Sequence, residues 1–197
     1  MRKEKIEELE IYIEELKIKK MELLDASGRF LNSERYSCEL NNGKVMIREK
    51  LVKNGSDGCA SIILPITAEG DTLLVVQPRI SGVMVELPAG YVNQGECYEE
   101  AARRELFEET GFVPENMILL GKFYQDQGCS TAYNQTFLAT GCRKISEQHL
   151  DKDEFIRYFE CKYSEALELV DMGIIRDIQT QFTLEKSKQY LKNGFGS

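Results

Sequence analysis

The sequence lacks several features that identify whole classes of protein. No apolar run approaches the ~20 consecutive residues that span a bilayer, so we expect no transmembrane segment. The charged first ten residues contain no apolar core of a secretory signal. Six cysteines are scattered without a CxxC pair, and one histidine cannot complete a Cys/His zinc site. These absences predict a cytoplasmic protein with reduced thiols.

Positive charge is also scarce in this chain. Lysine and arginine number 25 against 33 acidic residues, which gives a formal net charge of −8. Nonspecific binding to nucleic acid draws its affinity largely from contacts between basic side chains and phosphates. We therefore expect no nucleic-acid partner. An acidic protein can still bind an anionic substrate if a metal ion or a few arginines supply positive charge locally.

Length and patterning predict one main domain with an N-terminal appendage. We expect a helical extension over residues 1–26, a small antiparallel β subdomain over 27–57 and a main domain over 58–197. Apolar residues three and four apart predict a helix over 2–25. The Asn-Gly step at 42–43, between two extended segments, predicts a hairpin within the small subdomain.

The main domain alternates predicted strands and helices, which indicates an α/β fold. The predicted elements are the strands CASIILPIT, TLLVVQPR and VMVELPAGYV, with a turn at 69–71 and a loop at Pro88 and Gly90; a helix over 96–110 ended by Gly111; the strands MILLGKFY, YNQTFLATGC and EFIRYFEC; and two helices, SEALELVDM with Ser164 as N-cap, and Asp177 to Leu191.

Three carboxylates share one face of the helix predicted over 96–110. Glu105, Glu108 and Glu109 are three or four residues apart, so they repel one another unless they face solvent or a cation. Hard divalent cations such as Mg²⁺ take oxygen ligands of this kind. Arg104 lies four residues before Glu108 and can pair with it. From the three glutamates alone, a solvated acidic face and a metal site both stay open.

The wider spacing decides between these two interpretations. Gly90, five residues, Glu96, seven residues and then RELFEETGF match the Nudix box at every fixed position. The chain therefore resembles the Nudix hydrolases. That resemblance implies an α/β/α sandwich around a mixed sheet and a requirement for Mg²⁺ or Mn²⁺. It also implies hydrolysis of a nucleoside diphosphate linked to another moiety, with water attacking phosphorus.

Segments outside the box resemble the ADP-ribose and nucleotide-sugar pyrophosphatase branch. They are ELPAG at 86–90, QPR at 77–79 and the tail segments LDKDEFIRYFE, SEALELVDMG and IIRDIQTQ. The resemblance implies metal binding by the Ala89 carbonyl, Glu105, Glu108 and Glu109, catalysis by Glu108, Arg104 and Glu154, and substrate binding by Arg79, Glu86 and Gln127. It also implies a homodimer formed through the early hairpin.

Some alternatives remain open at this level. Many members of the branch have proline where this chain has Gln127, so the sequence leaves open ADP-ribose and nucleotide sugars. The catalytic loop aligns near residues 151–154, where Lys152 falls at the position of the base. The base is then Glu154, Asp153 or a glutamate of the box. Hydrolysis of nucleoside triphosphates or dinucleotide polyphosphates, and a catalytically silent nucleotide-binding module, are the competing functions.

Overall fold

The computed structural model describes residues 3–22, 30–53 and 55–191. Its helices and strands run in the order α1 Lys3–Glu15, β1 Leu31–Glu39, β2 Val45–Lys53, β3 Ala60–Thr67, β4 Asp71–Arg79, β5 Gly82–Glu86, β6 Ala89–Tyr91, α2 Tyr98–Thr110, β7 Phe112–Val113, β8 Asn116–Tyr124, β9 Tyr133–Lys144, β10 Arg157–Lys162, α3 Tyr163–Asp171 and α4 Ile178–Leu191.

A mixed sheet organises the main domain. Across the described residues its central strands lie in the order β10-β4-β3-β9-β7, with β5, β6 and β8 added beside β4, β3 and β9. The pairing of β3 with β9 is parallel, whereas the other pairings are antiparallel. Every residue of β3 after Ala60 is buried, because this strand lies at the centre of the sheet with helices on both faces.

Successive side chains of the central strands pack alternately into two separate apolar cores. In β3, Ile62 and Leu64 enter a core shared with α1, α3 and α4, whereas Ile63 enters a core shared with α2. Successive strand residues point to opposite faces, so one continuous apolar strand can serve both layers. The result is the three-layered α/β/α sandwich that the sequence predicts, with α2 alone on its face among the described helices.

The hairpin β1–β2 forms a separate two-stranded sheet. Its register pairs Leu31 with Lys53 and Glu39 with Val45, and the connection over residues 40–44 contains the predicted turn at the Asn-Gly step. The amide of Leu51 also donates to the carbonyl of Cys129 at 2.7 Å, which attaches the base of the hairpin to the main domain. Most of its side chains are exposed on both faces.

The N-terminal helix is shorter than predicted. It ends at Glu15 rather than continuing to residue 25, and residues 23–25 lie outside the described part of the chain. Leu9 is buried against the sheet, but Ile18 and Met21 beyond the helix are exposed. A helical turn without an apolar surface to bury is marginal in water, so the apolar spacing after Leu16 overestimates the helix.

Three other boundaries differ from the prediction. The strand expected from Glu154 begins at Arg157, and Gly90 lies in the short strand β6 rather than in a loop. The helix α3 begins at Tyr163, so Ser164 is not its N-cap. The carboxylate of Glu165 accepts from the Lys162 amide at 2.9 Å and thereby moves the start of the helix upstream.

Candidate active site

The helix α2 is fixed at both of its ends by its own sequence. Cys97 precedes it, and the Cys97 amide donates to Glu100 Oε2 at 2.8 Å, which makes half of a capping box. At the other end Gly111 adopts a φ of 78°, and its amide donates to the Phe107 carbonyl at 2.8 Å. Glycine is favoured there because this left-handed conformation is costly for residues with a Cβ. The helix begins two residues after the predicted Glu96.

Arg104 links the carboxylates of the site. It donates to both oxygens of Glu96 at 2.8 and 3.0 Å, and its Nη1 donates to Glu105 at 2.6 Å and to Glu108 at 3.0 Å. Its Nη2 also donates to the Tyr91 carbonyl at 2.9 Å. The sequence predicts the Glu108 pair through helical spacing. It misses the Glu96 pair, whose only signal is the fixed position of Glu96 in the box.

Gly90 leaves room for the carboxylate of Glu105. A Cβ at position 90 would lie 1.9 Å from Glu105 Cδ and 2.0 Å from Oε1. A side chain at position 90 would force the Glu105 carboxylate to move away, so glycine lets β6 and this carboxylate lie close together. The pKa of Glu105 is raised, chiefly by burial, although the nearby Arg104 opposes the rise. The close approach therefore holds a partly desolvated carboxylate between strand and helix.

Glu109 is the most deeply buried carboxylate of the box, with 4% of its surface exposed. Burial raises its pKa well above the ordinary value, and the charge of Glu105 raises it further. The Ala89 amide donates to Glu109 Oε2 at 3.1 Å and opposes this rise. The hydrogen bond from the Ala89 amide and the burial of Glu109 are not evident from the sequence, where the resemblance implies only a role for the Ala89 carbonyl.

Glu154 is brought to the same site from a distant part of the sequence. It lies in the loop before β10, and its charge raises the pKa of both Glu105 and Glu109. The Glu154 carboxylate accepts from the Asp151 amide at 3.1 Å, which closes a turn over residues 151–154. The structure thus brings together the candidate metal ligands and the candidate base, whose segments are about 45 residues apart in the sequence.

The carboxylates supply the donor type that a hard cation requires. No three Cys, His or acidic side chains in the described ranges converge into a ready-made cage, because Glu105 and Glu108 face Arg104 while Glu109 faces Ala89. Mg²⁺ is commonly held by one or two carboxylates together with waters and substrate phosphates. The oxygen donors fit such a cation, and so does the buried charge of Glu109, which the Ala89 amide offsets only in part. Glu105 or Glu108 would have to reorient to join Glu109.

A cavity of about 280 Å³ opens beside the carboxylates. Its lining includes Lys53, Arg79, Glu86, Ala89, Gly90, Tyr91, Gln125, Asp177 and Gln179. Arg79 makes a bidentate pair with Glu86, at 3.2 Å from Nε and 2.8 Å from Nη2. Asp177 Oδ1 is buried without a hydrogen-bond partner, and burial raises the pKa of this group. The sequence indicates Arg79 and Glu86 but not Asp177, which there reads only as the start of a helix.

Gln127 lies apart from this cavity. It is exposed in the loop between β8 and β9 and lines a different cleft together with Tyr36, Arg48 and Cys129. That cleft separates the hairpin from the main domain. The described part of a single chain therefore brings Arg79 and Glu86 to the carboxylates but not Gln127.

Comparison with known families agrees with this geometry. The model of the NUDIX domain matches residues 59–185, which is more than half of the chain. The chain belongs to the NUDIX family. The matched range contains the box, the cavity residue Arg79 and the loop of Glu154, and the chain is a Nudix hydrolase. The resemblance inferred from residues 90–112 is confirmed.

Curated relatives extend the comparison. The chain is 33% identical over 162 residues to the "ADP-ribose pyrophosphatase" of Bacillus subtilis (strain 168), a match that covers 81% of this chain and 85% of the relative. It is 27% identical over 176 residues to the "GDP-mannose pyrophosphatase" of Cronobacter sakazakii (strain ATCC BAA-894), covering 84% and 91%. The Nudix domain thus resembles pyrophosphatases over most of its length.

A solved structure supports the fold alone. The protein described as "Crystal structure of ADP compounds hydrolase" superposes with a TM-score of 0.72 at 20% identity, covering 85% of this chain and 90% of that one. This likeness confirms the α/β/α sandwich. In addition, no helix within the described ranges is long and apolar enough to cross a membrane.

Proposed function

We propose that this Nudix hydrolase cleaves the pyrophosphate bond of ADP-ribose or of a nucleotide sugar, giving a nucleoside monophosphate and a sugar phosphate. The observation that carries the proposal is the position of the cavity. It adjoins the carboxylates of the box at Ala89 and Gly90 and continues past Arg79 toward Asp177. A diphosphate at the box would therefore leave its attached moiety inside the cavity.

Metal dependence is part of this proposal. The Ala89 carbonyl and the carboxylates of Glu105, Glu108 and Glu109 would hold Mg²⁺ or Mn²⁺. The cation would neutralise phosphate charge and lower the pKa of bound water. Arg104 holds Glu105 and Glu108 beside each other and is itself held by Glu96, so that reorientation of Glu105 or Glu108 toward the cation would complete the ligand set.

Glu154 is the proposed general base. Water would attack one phosphorus, the bond from that phosphorus to the bridging oxygen would break, and the Glu154 carboxylate would take the proton of the water. The exposed position of Glu154 near Glu105 and Glu109 supports this role, because a carboxylate there can take a proton from a water at the site and pass it to solvent. Asp153 and the box glutamates are the alternatives.

The balance of charged residues in the cavity favours a substrate whose moiety beyond the diphosphate is uncharged. Two basic residues, Lys53 and Arg79, face two acidic residues, Glu86 and Asp177. Arg79 retains donors beyond its pair with Glu86 and is the proposed phosphate contact. A sugar can hydrogen-bond to this mixed lining, whereas the additional negative charge of a triphosphate would meet the two carboxylates. The relatives named for ADP-ribose and GDP-mannose support both sugar classes.

A substrate panel tests this assignment. ADP-ribose, GDP-mannose, a second nucleotide sugar, a dinucleotide polyphosphate and the common nucleoside triphosphates are compared by kcat/KM with Mg²⁺, through phosphate release after phosphatase coupling. We expect ADP-ribose or a nucleotide sugar to be the best substrate. A nucleoside triphosphate with the highest kcat/KM would contradict the proposal.

The chain is also proposed to act as a homodimer through β1–β2. An isolated two-stranded sheet is marginally stable in water, yet this one exposes 62% of Val45 and 48% of Ile47. A second copy of the chain would bury these side chains, and the cleft that contains Gln127 adjoins the same hairpin. Equilibrium sedimentation is expected to give twice the chain mass of 22.6 kDa. A monomer at assay concentrations would contradict this proposal.

A further inference from the structure

The carboxyl end of α2 is built to receive the segment that leads to Glu154. The amides of Ile145 and Ser146 donate to the Gly111 carbonyl at 3.0 and 3.3 Å, and the His149 amide donates to the Glu108 carbonyl at 2.7 Å. A Cβ on Gly111 would lie 2.0 Å from the Ser146 carbonyl oxygen. The glycine that ends the box helix therefore also permits this docking. Residues 145–149 are called the anchor segment below.

One side chain of the anchor segment connects α2 to the residue that follows the catalytic loop, residues 150–155. Gln148 Nε2 donates to the Glu109 carbonyl at 2.6 Å and to the Ile156 carbonyl at 3.3 Å. The first contact lies on the last turn of α2, and the second lies two residues after Glu154. Within residues 150–155, all of which the structure describes, the hydrogen bonds join Asp151 to Glu154 inside their own turn.

We propose that Gln148 is a positioning residue, which sets the place of Glu154 relative to the carboxylates of the box. A primary amide is suited to this task because its two N–H groups can reach two separate carbonyls. Without the bridge, the anchor segment would still be held to α2 by its backbone hydrogen bonds. The end of the loop at Ile156 would lose its link to the helix. Misplacement of a reacting group by about 1 Å costs on the order of 100-fold in rate.

This inference rests on the proposed catalytic role of Glu154, and a double-mutant cycle separates the two. Gln148→Met keeps the length of the side chain and removes both donors. We expect it to lower kcat roughly 10- to 100-fold with little change in KM, because the cavity and Arg79 are untouched. Gln148→Asn, which draws the amide back by one methylene group, should fall between Gln148→Met and the wild type.

The second arm of the cycle places Gln148→Met in a Glu154→Gln background. If Gln148 acts through Glu154, its substitution should have little further effect there, since coupled residues are non-additive. An equal loss in both backgrounds would mean that Gln148 has a merely structural role and would overturn the inference. Wild-type turnover of Glu154→Gln alone would instead refute the proposed base, and with it the inference.

A matched control lies one residue away. Glu147→Gln changes an exposed side chain that pairs with Lys144 at 3.1 Å. It belongs to the same anchor segment, but within the described ranges its carboxylate has no hydrogen bond to α2 or to the loop. We expect unchanged kcat and KM. The thermal midpoint of every variant is measured as well, and kinetics are recorded well below the lowest midpoint, so that a folding defect is not mistaken for misplacement.

Discussion

The box helix α2 and the hairpin β1–β2 are both short, charged segments, but their side chains differ in how far they are held by contacts within the chain. Each acidic side chain at the active-site face of α2 has a defined neighbour, such as Arg104 for Glu108 or the Ala89 amide for Glu109. The hairpin presents apolar side chains such as Val45 and Ile47 to solvent. The carboxylates of α2 find their contacts within a single chain, whereas the hairpin exposes apolar side chains that the proposed dimer would bury.

The contrast shows why the side chains of α2 must occupy particular positions, whereas those of the hairpin need not. Charged groups on α2 are held by directional contacts over short distances, which require particular residue types at fixed spacings. The hairpin requires only alternating extended residues and a turn, which many sequences satisfy. Substitutions should therefore affect catalysis at α2 and association at the hairpin, and each of the following predictions tests one side of that division.

The largest effect is expected for Glu108→Gln. The substitution keeps the size of the side chain but removes the charge proposed to hold the cation, and turnover should fall by roughly 10²- to 10⁴-fold. The thermal midpoint should change little, because Glu108 is partly exposed. The matched control is Glu99→Gln on the same helix, where Glu99 pairs with Arg103 at 2.9 Å outside the site. Near-wild-type kcat for Glu108→Gln with saturating Mg²⁺ would exclude the box as the active site.

Gly90→Ala should be the next most harmful. The added methyl group would overlap the carboxylate of Glu105, whose side chain can rotate away, so the domain should fold while the ligand set is broken. We expect turnover to fall by about 10²-fold, as for a misplaced catalytic group. Gly128→Ala is the control, because the nearest atom to its Cβ is Asp126 Oδ1 at 3.3 Å and its backbone needs no left-handed conformation. Equal activity of the two alanine variants would contradict the close-approach argument.

Much of the fold and part of the site could be predicted because they depend on local patterns. The apolar strands β3 and β4, the turn between them and the end of α2 at Gly111 all follow from spacing and turn residues. The shared face of Glu105, Glu108 and Glu109 likewise follows from helical geometry. For these features the local sequence pattern alone reports the burial, the turn conformation or the helical spacing that defines the element.

The features that were missed depend on contacts between distant segments. The bidentate pair of Arg104 with Glu96 and the Gln148 bridge become visible only when loop, helix and strand meet. The length of α1 was overestimated because spacing indicates which face is apolar but not where a partner surface ends. Asp177 appeared as a helix start, and its place in the cavity depends on the contact of α4 with Leu87, whose amide donates to Thr180 Oγ1 at 2.9 Å.

A smaller effect is expected for Arg79→Ala. If its contact with phosphate is similar in the ground and transition states, KM should rise, by roughly 10-fold for a lost charge-assisted hydrogen bond, while kcat changes less. Loss of the pair with Glu86 leaves that carboxylate without its nearest cation, so Arg79→Lys is measured alongside to retain the charge without the bidentate geometry. Unchanged kinetics for Arg79→Ala would remove it from the substrate site.

The smallest effect on turnover, and the largest on association, is expected for Ile47→Glu. A charge introduced into the apolar surface of the hairpin should weaken dimerisation by roughly 10-fold or more, as at other buried interface positions. Because Ile47 is exposed and the hairpin is tied to the main domain through other residues, such as Leu51 and Lys50, the Nudix domain should keep its thermal midpoint. Met172→Glu is the matched control, since Met172 is 57% exposed on the main domain, away from the hairpin.

Sedimentation equilibrium over a range of concentrations gives the dissociation constants. At concentrations that restore the dimer of Ile47→Glu, turnover per chain should return to the wild-type value. A dissociation constant equal to that of Met172→Glu would show that the hairpin does not form the interface. A loss of turnover that persists in the restored dimer would show instead that the hairpin acts directly at the site.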